Sequence, residues 1–184
     1  NMILHGDGSS NIFVKNGLAP FEDYDKELKI NKLSKFYGKR EVNEQFDIIV
    51  SNPPFSVDMP EEDKKKIDKG FLFSGKKNSE NLFLERYYQL LKENGRMGIV
   101  LPESVFDTTE NMYIRIFLYK YFKIKAVVSL PQVSFEPYTS TKTSILFAQK
   151  KTESEVELWE KSWAKHTKEY ARLKTRVNDY LKFF

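Results

Sequence analysis

An apolar run, Phe46–Val50, leads within a few residues to two consecutive prolines, Pro53 and Pro54. A continuous apolar run with one polar interruption is typical of a central parallel strand that is covered on both faces. Proline donates no hydrogen bond to a sheet, so the two prolines end this strand. Open α/β sheets bind ligands outside the carboxyl ends of such strands. We therefore expect an α/β sheet with a candidate site at residues 51–55.

Downstream of this strand, helical and strand patterns alternate. One helix is predicted from Ser79, which can cap its start, to a stop at Asn94-Gly95, and another from Asn111 to Phe122. Three further strands are predicted from short apolar runs, namely Met97–Leu101, Ala126–Leu130 and Thr143–Ala148. Residues 132–142 are too few for a crossover helix, so the last strand should run antiparallel to its neighbour. The pattern predicts an open α/β sheet.

The flanking segments carry weaker patterns. The first six residues resemble the last turn of a helix that stops at Gly6, and Ile12–Val14 suits a brief strand before a turn at Asn16-Gly17. Residues 21–44 are expected to hold one short helix, which the pattern does not place. Residues 58–78 are charged and punctuated by glycine, so they are predicted to form a mobile surface loop.

The last segment, residues 152–184, is predicted to be one amphipathic helix beyond a catalytic domain of residues 1–151. Its apolar and aromatic residues recur three and four apart, as in a heptad seam; they are Val156, Trp159, Trp163, His166, Tyr170, Leu173, Val177, Tyr180 and Phe184. The helix either folds back on its own sheet or packs on another chain. The large aromatic residues and His166 favour a tailored partner surface.

Composition bounds the class of protein. The chain has 184 residues, enough for one domain with a modest core. It has no cysteine, no signal pattern and no apolar run long enough to span a bilayer, so a cytoplasmic protein without a membrane or metal site is expected. The net charge of +4 permits nucleic-acid binding without demonstrating it.

Asn52 and Pro53 offer two hydrogen-bond acceptors at the predicted end of the strand: a side-chain oxygen and a carbonyl. An exocyclic amino group carries two N–H donors and matches that pair. Accepting both hydrogens localises a nitrogen lone pair that an aromatic ring otherwise delocalises, which prepares the nitrogen for methylation. Phe55 adds an apolar face on which a planar base can stack. The alternative interpretation of these residues is a plain turn after a strand.

Residues 46–55 resemble the catalytic motif of amino-methyltransferases that act on DNA. Three further stretches narrow the resemblance: Gly95–Ser104, Ala126–Pro131 and Thr141–Phe147. In that order they resemble the methylation subunit of type I restriction–modification systems, from Met2 to about Lys151.

The resemblance implies a partial Rossmann-like S-adenosylmethionine methyltransferase sheet, mostly parallel with one antiparallel strand, that methylates adenine N6. Asn52, Pro53 and Phe55 would be catalytic, with the target adenine flipped out of duplex DNA. Asn16 and Pro54 would lie on the cofactor side. A specificity subunit, and with it a restriction subunit, would be the protein partners, and the helix of residues 152–184 is the candidate docking surface.

One departure from the family pattern concerns the cofactor. The glycine-rich cofactor loop expected upstream of the motif has no match in the sequence. We therefore expect a fragment that by itself neither methylates DNA nor binds S-adenosylmethionine tightly. Without the strand that follows that loop in the family pattern, the Phe46–Ser51 strand would present an open apolar edge. That edge predicts self-association or a rearrangement of residues 1–45.

Two other functions compete with this interpretation. Asn-Pro-Pro patterns also serve methyltransferases that act on a protein glutamine amide or on RNA, although the downstream stretches favour DNA. A non-catalytic interaction module, in which the sheet is a scaffold for the aromatic helix, is the rival from a different class.

Overall fold

The computed structural model describes residues 12–24, 28, 30–55, 57, 61–67, 70–75 and 78–183. Its strands are β1 (Lys32–Leu33), β2 (Glu41–Val42), β3 (Phe46–Ser51), β4 (Leu91–Pro102), β5 (Phe122–Ser129) and β6 (Thr143–Lys150). Its helices are α1 (Glu61–Ile67), α2 (Ser79–Leu90), α3 (Ser104–Asp107), α4 (Met112–Tyr121) and α5 (Glu153–Leu181). Short 3₁₀ turns span Phe21–Asp23 and Gln132–Phe135.

The main sheet has the strand order β3-β4-β6-β5. β3 runs parallel to β4, with Ser51 opposite Ile99, whereas β6 runs antiparallel to both β4 and β5. Three strands therefore share one direction and one opposes them, which confirms the predicted α/β class and the antiparallel last strand. The position of β6 between β4 and β5 was not predicted, because strand order depends on pairings between distant residues.

The core lies on the face of the sheet that packs against α2 and α4. Met97, Ile99 and Leu101 alternate along β4 onto this face, as a strand with one covered face requires, and all three are buried. The predicted face of α4 is confirmed, since Ile114, Phe117, Leu118 and Tyr121 are buried. Packed aromatic rings complete this core, and the ring centroids of Tyr88 and Tyr121 lie 4.6 Å apart.

The prediction that β3 is a central strand covered on both faces is wrong for the described residues. Within them β3 pairs only with β4 and forms an edge of the sheet. Ile48 and Val50 are 67% and 82% exposed. Their face of the sheet continues across Gly98 to Phe147, which is itself exposed. An apolar run indicates that a strand is suited to burial. Here none of the described residues covers this face of β3.

The prediction that Asn94-Gly95 ends α2 is wrong. The pair instead shapes the start of β4. The helix ends at Leu90, and the chain enters β4 at once. Asn94 has a φ of 62°, and the pairing with β3 jumps from Phe46 opposite Leu91 to Ile48 opposite Arg96. A Cβ on Gly95 would lie 2.8 Å from the Lys92 carbonyl oxygen. The pair therefore forms a bulge at the junction of helix and strand.

Three weaker predictions also fail. Ile12–Val14 belongs to no strand, although a turn at Asn16-Gly17 forms, with the Ala19 amide donating to the Asn16 carbonyl at 3.0 Å. Residues 30–44 contain the β1–β2 hairpin, and among the described part of residues 21–44 the helical structure consists of short 3₁₀ turns. Charged, glycine-punctuated residues 58–78 include α1, and within them Ile67 and Phe71 are buried. The helix end expected at the first six residues lies outside the described residues.

Helix α5 leaves the sheet instead of folding back on it. A capping box of Thr152 and Glu155 begins the helix, and Val156 is its buried residue. Farther along, Trp163, Tyr170 and Leu173 are at least half exposed. The long C-terminal helix is thus confirmed, while the fold-back interpretation is wrong. None of the described helices is both long and apolar enough to cross a membrane.

Candidate active site

Residues Asn52–Phe55 follow β3 directly, at the carboxyl end of the parallel pair β3–β4. Asn52 and Pro54 are exposed, Pro53 is buried and Phe55 is half-buried. The ring of Pro53 thus anchors the segment in the protein, while the amide of Asn52 faces a position that a ligand can reach. Proline at two successive positions also limits the conformations of this backbone. The predicted catalytic residues therefore lie in one stiff segment, in which Asn52 is accessible.

A tyrosine on α2 holds the strand end that precedes Asn52. The Tyr87 hydroxyl donates to the Ser51 Oγ over 2.7 Å. Tyr87 is only 5% exposed, and burial raises its pKa to about 12. The hydroxyl therefore keeps its proton at neutral pH and remains a donor. The hydrogen bond joins residues 36 positions apart, so sequence reasoning had no local signal for it.

A serine on the same helix holds the segment that follows Pro53. Ser79 is 1% exposed. Its hydroxyl donates to the Pro54 carbonyl oxygen at 3.2 Å and accepts from the Val57 amide at 3.1 Å. The prediction that Ser79 caps α2 is wrong, because Asn78 occupies the N-cap position and neither side chain makes a capping hydrogen bond. The hydroxyl contacts the motif segment instead.

The start of α2 is itself fixed to the start of α4 by buried amide groups. The Asn111 Oδ1 accepts from the Nδ2 of Asn78 at 3.1 Å and from that of Asn81 at 2.8 Å. Asn81 also donates to the Tyr113 hydroxyl at 2.6 Å. These hydrogen bonds favour one arrangement of the two helices, although the Asn81 Oδ1 is buried without a hydrogen-bond partner among the described residues. Sequence reasoning missed this cluster, whose only signal is asparagine at the starts of two helices.

Asn16, the predicted cofactor residue, lies in a turn that packs against α2. Its Oδ1 accepts from the Leu18 amide at 3.0 Å, and its carbonyl accepts from the Tyr24 hydroxyl at 2.9 Å. A Cβ on Gly17 would lie 2.9 Å from the Phe83 ring, so glycine allows the turn to press against α2. Phe83 is four residues from both Ser79 and Tyr87. The turn that contains Asn16 and the motif segment therefore both contact α2.

Two buried charges attach further loops to α2. The Glu85 carboxylate accepts from the amides of Leu72 and Phe73 at 2.8 and 3.0 Å, and also from the Tyr37 hydroxyl. Burial raises the pKa of Glu85 despite these hydrogen bonds. The guanidinium of Arg86 donates to the Ala19 carbonyl and stacks 4.6 Å from the Phe21 ring centroid. Burial lowers its pKa.

One further carboxylate, Glu103, lies just past the end of β4, at the same edge of the sheet as Asn52. It accepts from the hydroxyls of Ser144 on β6 and, at 3.4 Å, Ser129 on β5. Its amide donates to the Lys142 carbonyl at 3.0 Å. These contacts join three strand ends next to the motif. Its signal in the sequence is a Pro-Glu pair directly after a strand, which was quoted only as part of the resemblance.

The described residues contain no group of three or more side chains suited to a metal ion. For an organic cofactor they offer one side of a site: Pro54 is exposed beside Asn52, and Asn16 is exposed in the turn that packs against α2. The Asn16 Oδ1 is already engaged by the Leu18 amide, which leaves its Nδ2 to meet a ligand. The residues present therefore fit the edge of a cofactor site.

Comparison with known proteins places this geometry among DNA methylases. The sequence profile of the N-6 DNA Methylase family matches residues 1–180. The methylase subunit of the Escherichia coli type I restriction enzyme EcoEI is 34% identical over 135 residues, which are 72% of this chain and 27% of that protein. The Escherichia coli type II restriction enzyme and methyltransferase RM.Eco57I is 28% identical over 178 residues, 94% of this chain and 17% of the relative.

A solved structure agrees in fold. The type I restriction-modification methyltransferase subunit from Streptococcus thermophilus superposes with a TM-score of 0.51 at 24% identity, over 89% of this chain and 38% of that one. At this identity the likeness bears on the fold alone. The chain spans about a quarter of the length of the EcoEI subunit and less of RM.Eco57I.

Proposed function

The chain belongs to the N-6 DNA Methylase family, and from that premise we propose that the complete protein methylates N6 of adenine in duplex DNA as part of a restriction–modification system. The observation that carries the proposal is the exposed Asn52 beside the buried Pro53, at the carboxyl end of β3. Two relatives support the proposal: a methylase subunit of a type I restriction enzyme, and a type II restriction enzyme and methyltransferase. They favour it over a glutamine or RNA methyltransferase and over a non-catalytic module.

Asn52 and Pro53 would act by binding the target amino group. The Asn52 Oδ1 and the Pro53 carbonyl each accept one N–H, which concentrates the lone pair on N6. When bound, S-adenosylmethionine would supply an electrophilic methyl group to this lone pair, leaving as the neutral thioether, and the methylated nitrogen would lose one N–H proton to solvent. Rate enhancement then comes from positioning and fixed dipoles, so no side chain has to change its protonation before the reaction.

Phe55 would hold the adenine after it leaves the duplex. The ring is half-buried, so one part of it is supported by protein and another part is open for stacking. Stacking of a base on an aromatic ring contributes about 1–3 kcal/mol. Such a contribution offsets part of the cost of unpairing and unstacking the base. Phe55 is accordingly the residue that favours the flipped state.

Pro54 and Asn16 would line the cofactor side of the site. Pro54 is exposed next to Asn52, and its carbonyl is engaged by Ser79, so its ring lies in a fixed position. The Nδ2 of Asn16 would donate to an acceptor on the cofactor. We assign these two residues one edge of the S-adenosylmethionine site. The isolated chain is accordingly expected to bind the cofactor weakly and to be inactive.

A specificity subunit is the proposed partner of α5, and a restriction subunit would join through that assembly. The support is the exposed apolar seam of α5, in which Tyr170, Val177 and Tyr180 are each about half exposed or more. A helix face of this kind suits packing against another helix. A protein of such a system would act in the cytoplasm.

The complete gene product, assayed with its specificity subunit, tests the proposal. We expect radiolabelled methyl groups from S-adenosylmethionine to appear on adenine N6 of duplex DNA, and the Asn52→Ala variant to lose about 100-fold or more in rate, as when one oriented hydrogen-bonding group is removed from an active site. Asn31→Ala, at an exposed asparagine in the β1–β2 region, is the control and should retain activity. Label on RNA or on a glutamine amide, with none on DNA, would contradict the proposal.

A further inference from the structure

The hydroxyl of Ser79 stands between two backbone groups of the motif segment. The Pro54 carbonyl and the Val57 amide are three residues apart, the separation at which a β-turn joins such groups directly. Here the Ser79 hydroxyl joins them instead, donating to the carbonyl at 3.2 Å and accepting from the amide at 3.1 Å. A side chain from a distant helix thus closes the segment that contains Phe55.

The hydroxyl makes these contacts away from water. Ser79 is 1% exposed, so solvent cannot substitute for its hydrogen bonds. It carries one proton, and the Pro54 oxygen is nearer than the alternative acceptor, Glu80 Oε2 at 3.4 Å. Ser79 makes no capping bond with its own helix. Its hydroxyl therefore serves the motif segment, and in a buried setting the loss of either bond is costly.

Ser79 is also held in place from behind. Asn78 and Asn81, on either side of it in the chain, donate to the same Oδ1 of Asn111. This fastens the first turn of α2 to the start of α4 and thereby to the core. The position of the hydroxyl is then set by the packed part of the protein, independently of the segment that it contacts.

The same helix holds the motif at its other end. Tyr87, about two turns farther along α2, donates to Ser51 at 2.7 Å. Residues 51–57, which include Asn52 and Phe55, are therefore attached to one rigid helix at both ends. Because methyl transfer depends on alignment, an error of about 1 Å in the position of such groups lowers the rate by about 100-fold.

We propose that Ser79 is a positioning residue for methyl transfer: its hydroxyl holds the Pro54 carbonyl and the Val57 amide, and with them the placement of Phe55 and of the Asn52–Pro53 acceptors. The proposal rests on the proposed function for its chemistry. It concerns the orientation of the motif and assigns Ser79 no contact with DNA or cofactor. A residue of this kind should affect turnover far more than substrate binding.

The test compares Ser79→Ala, which removes the hydroxyl, with Ser79→Thr, which keeps it. The control is Ser34→Ala: Ser34 is also buried, and its hydroxyl accepts from the Tyr37 amide at 3.1 Å in the β1–β2 connection. In the complete protein with its specificity subunit, we expect Ser79→Ala to lower kcat by about 10- to 100-fold with little change in KM for DNA. Ser79→Thr and Ser34→Ala should retain most of the wild-type kcat.

Amide hydrogen exchange gives a second readout that does not depend on activity. The Val57 amide should be protected in the wild type and in Ser79→Thr, and should exchange faster in Ser79→Ala, while Ser34→Ala leaves it unchanged. Wild-type kcat or unchanged Val57 exchange in Ser79→Ala would overturn the inference. So would an equal loss of kcat in Ser34→Ala. If the wild-type protein transfers no methyl group to DNA, the proposed function fails, while the exchange of Val57 still decides whether Ser79 holds the segment.

Discussion

Single hydroxyl groups decide how the motif is held. Tyr87 and Ser79 each direct one oxygen at residues 51–57, and both are buried. Neither residue type is unusual in a helix, and neither is adjacent to the motif in the chain. Their importance lies in where α2 places them, so at this scale the candidate site consists of more residues than its four-residue motif.

Tyr87 also predicts a pH dependence of stability. Burial raises its pKa to about 12, above the ordinary value of 10.0. The folded state therefore binds this proton more tightly than the unfolded chain, and the resulting stability is complete below pH 10 and is lost as the pH rises towards 12. Tyr87→Phe lacks this contribution. We expect the difference in unfolding free energy between wild type and Tyr87→Phe to shrink by a few kcal/mol over that range, measured by urea denaturation.

Tyr121→Phe is a second test of the same linkage. The Tyr121 hydroxyl is also buried and donates to the Phe36 carbonyl, and burial raises the Tyr121 pKa even further, to well above the range of the titration. By the same linkage, its difference from the wild type should shrink by at least as much between pH 10 and 12, because unfolded tyrosine ionises in that range while the buried hydroxyl keeps its proton. A Tyr87→Phe difference that stays constant with pH would contradict the assigned cause.

A buried lysine joins the end of α2 to the start of β4. Lys150, the last residue of β6, is 1% exposed. Its ammonium donates to the carbonyls of Tyr88 and Leu91 at 2.8 and 2.7 Å and to Glu44 Oε1 at 3.0 Å. The two carbonyls belong to the end of α2 and the start of β4. At the scale of elements, Lys150 therefore closes the junction at which the helix turns into the central strand.

Removal of Lys150 should destabilise the fold. Lys150→Ala leaves the Glu44 carboxylate and two carbonyls without this partner, and breaking a buried ion pair in this way costs about 3–5 kcal/mol. Lys123→Ala is the matched control, because its ion pair with Glu155 is about one-third exposed on each side and contributes little. Urea unfolding monitored by circular dichroism measures both. Equal midpoints for the two variants would argue against the closing role of Lys150.

Helix α5 predicts a partner surface at the element scale. The rings of Trp159 and Trp163 stack 4.9 Å apart between centroids, and Trp159 lies over Lys120 at the base of the helix. Beyond this pair the seam is open. We expect the double variant Trp163→Ala, Tyr170→Ala to weaken binding of a specificity subunit by about 2 kcal/mol or more, as aromatic anchors do, measured by calorimetry.

Lys174→Ala provides the control for the helix surface, since Lys174 lies on α5 outside the seam. It should leave the affinity and the helix content unchanged. An affinity for the specificity subunit that survives the double substitution would place the docking surface elsewhere in the protein.

The whole sheet is open on one side. Ile48 and Val50 on β3 share a face with Phe147 on β6, and the outer edge of β3 makes no strand pairing within the described residues. An apolar edge with free backbone groups invites pairing with another strand. The described part of the chain therefore has a surface that a further strand and a covering layer would complete.

This surface predicts that the isolated chain self-associates. Sedimentation at increasing concentration should show species larger than a monomer, and Val50→Lys should shift the equilibrium towards the monomer by placing a charge at the edge. Val14→Lys, at a fully exposed residue outside the sheet, is the control. A wild-type chain that stays monomeric at high concentration would contradict the prediction.

The sequence by itself determined the local elements and the chemistry. The strand at Phe46–Ser51, the buried face of α4 and the antiparallel last strand follow from periodicity, from proline or from the length of a loop, and the role of Asn52 and Pro53 as an acceptor pair stays a prediction. These properties are encoded in neighbouring residues, because a strand, a helix face or a stiff turn depends on a few consecutive side chains.

Only the tertiary structure decided the insertion of β6 between β4 and β5 and the contacts by which α2 holds the motif. Each depends on contacts between distant residues: 25 positions separate Ser79 from Pro54, and 36 separate Tyr87 from Ser51. A hydroxyl in a helix carries no local sign of the residue that it will meet. Its partner is determined only when the helices pack on the sheet. The motif could therefore be recognised in the sequence, whereas the side chains that hold it could not.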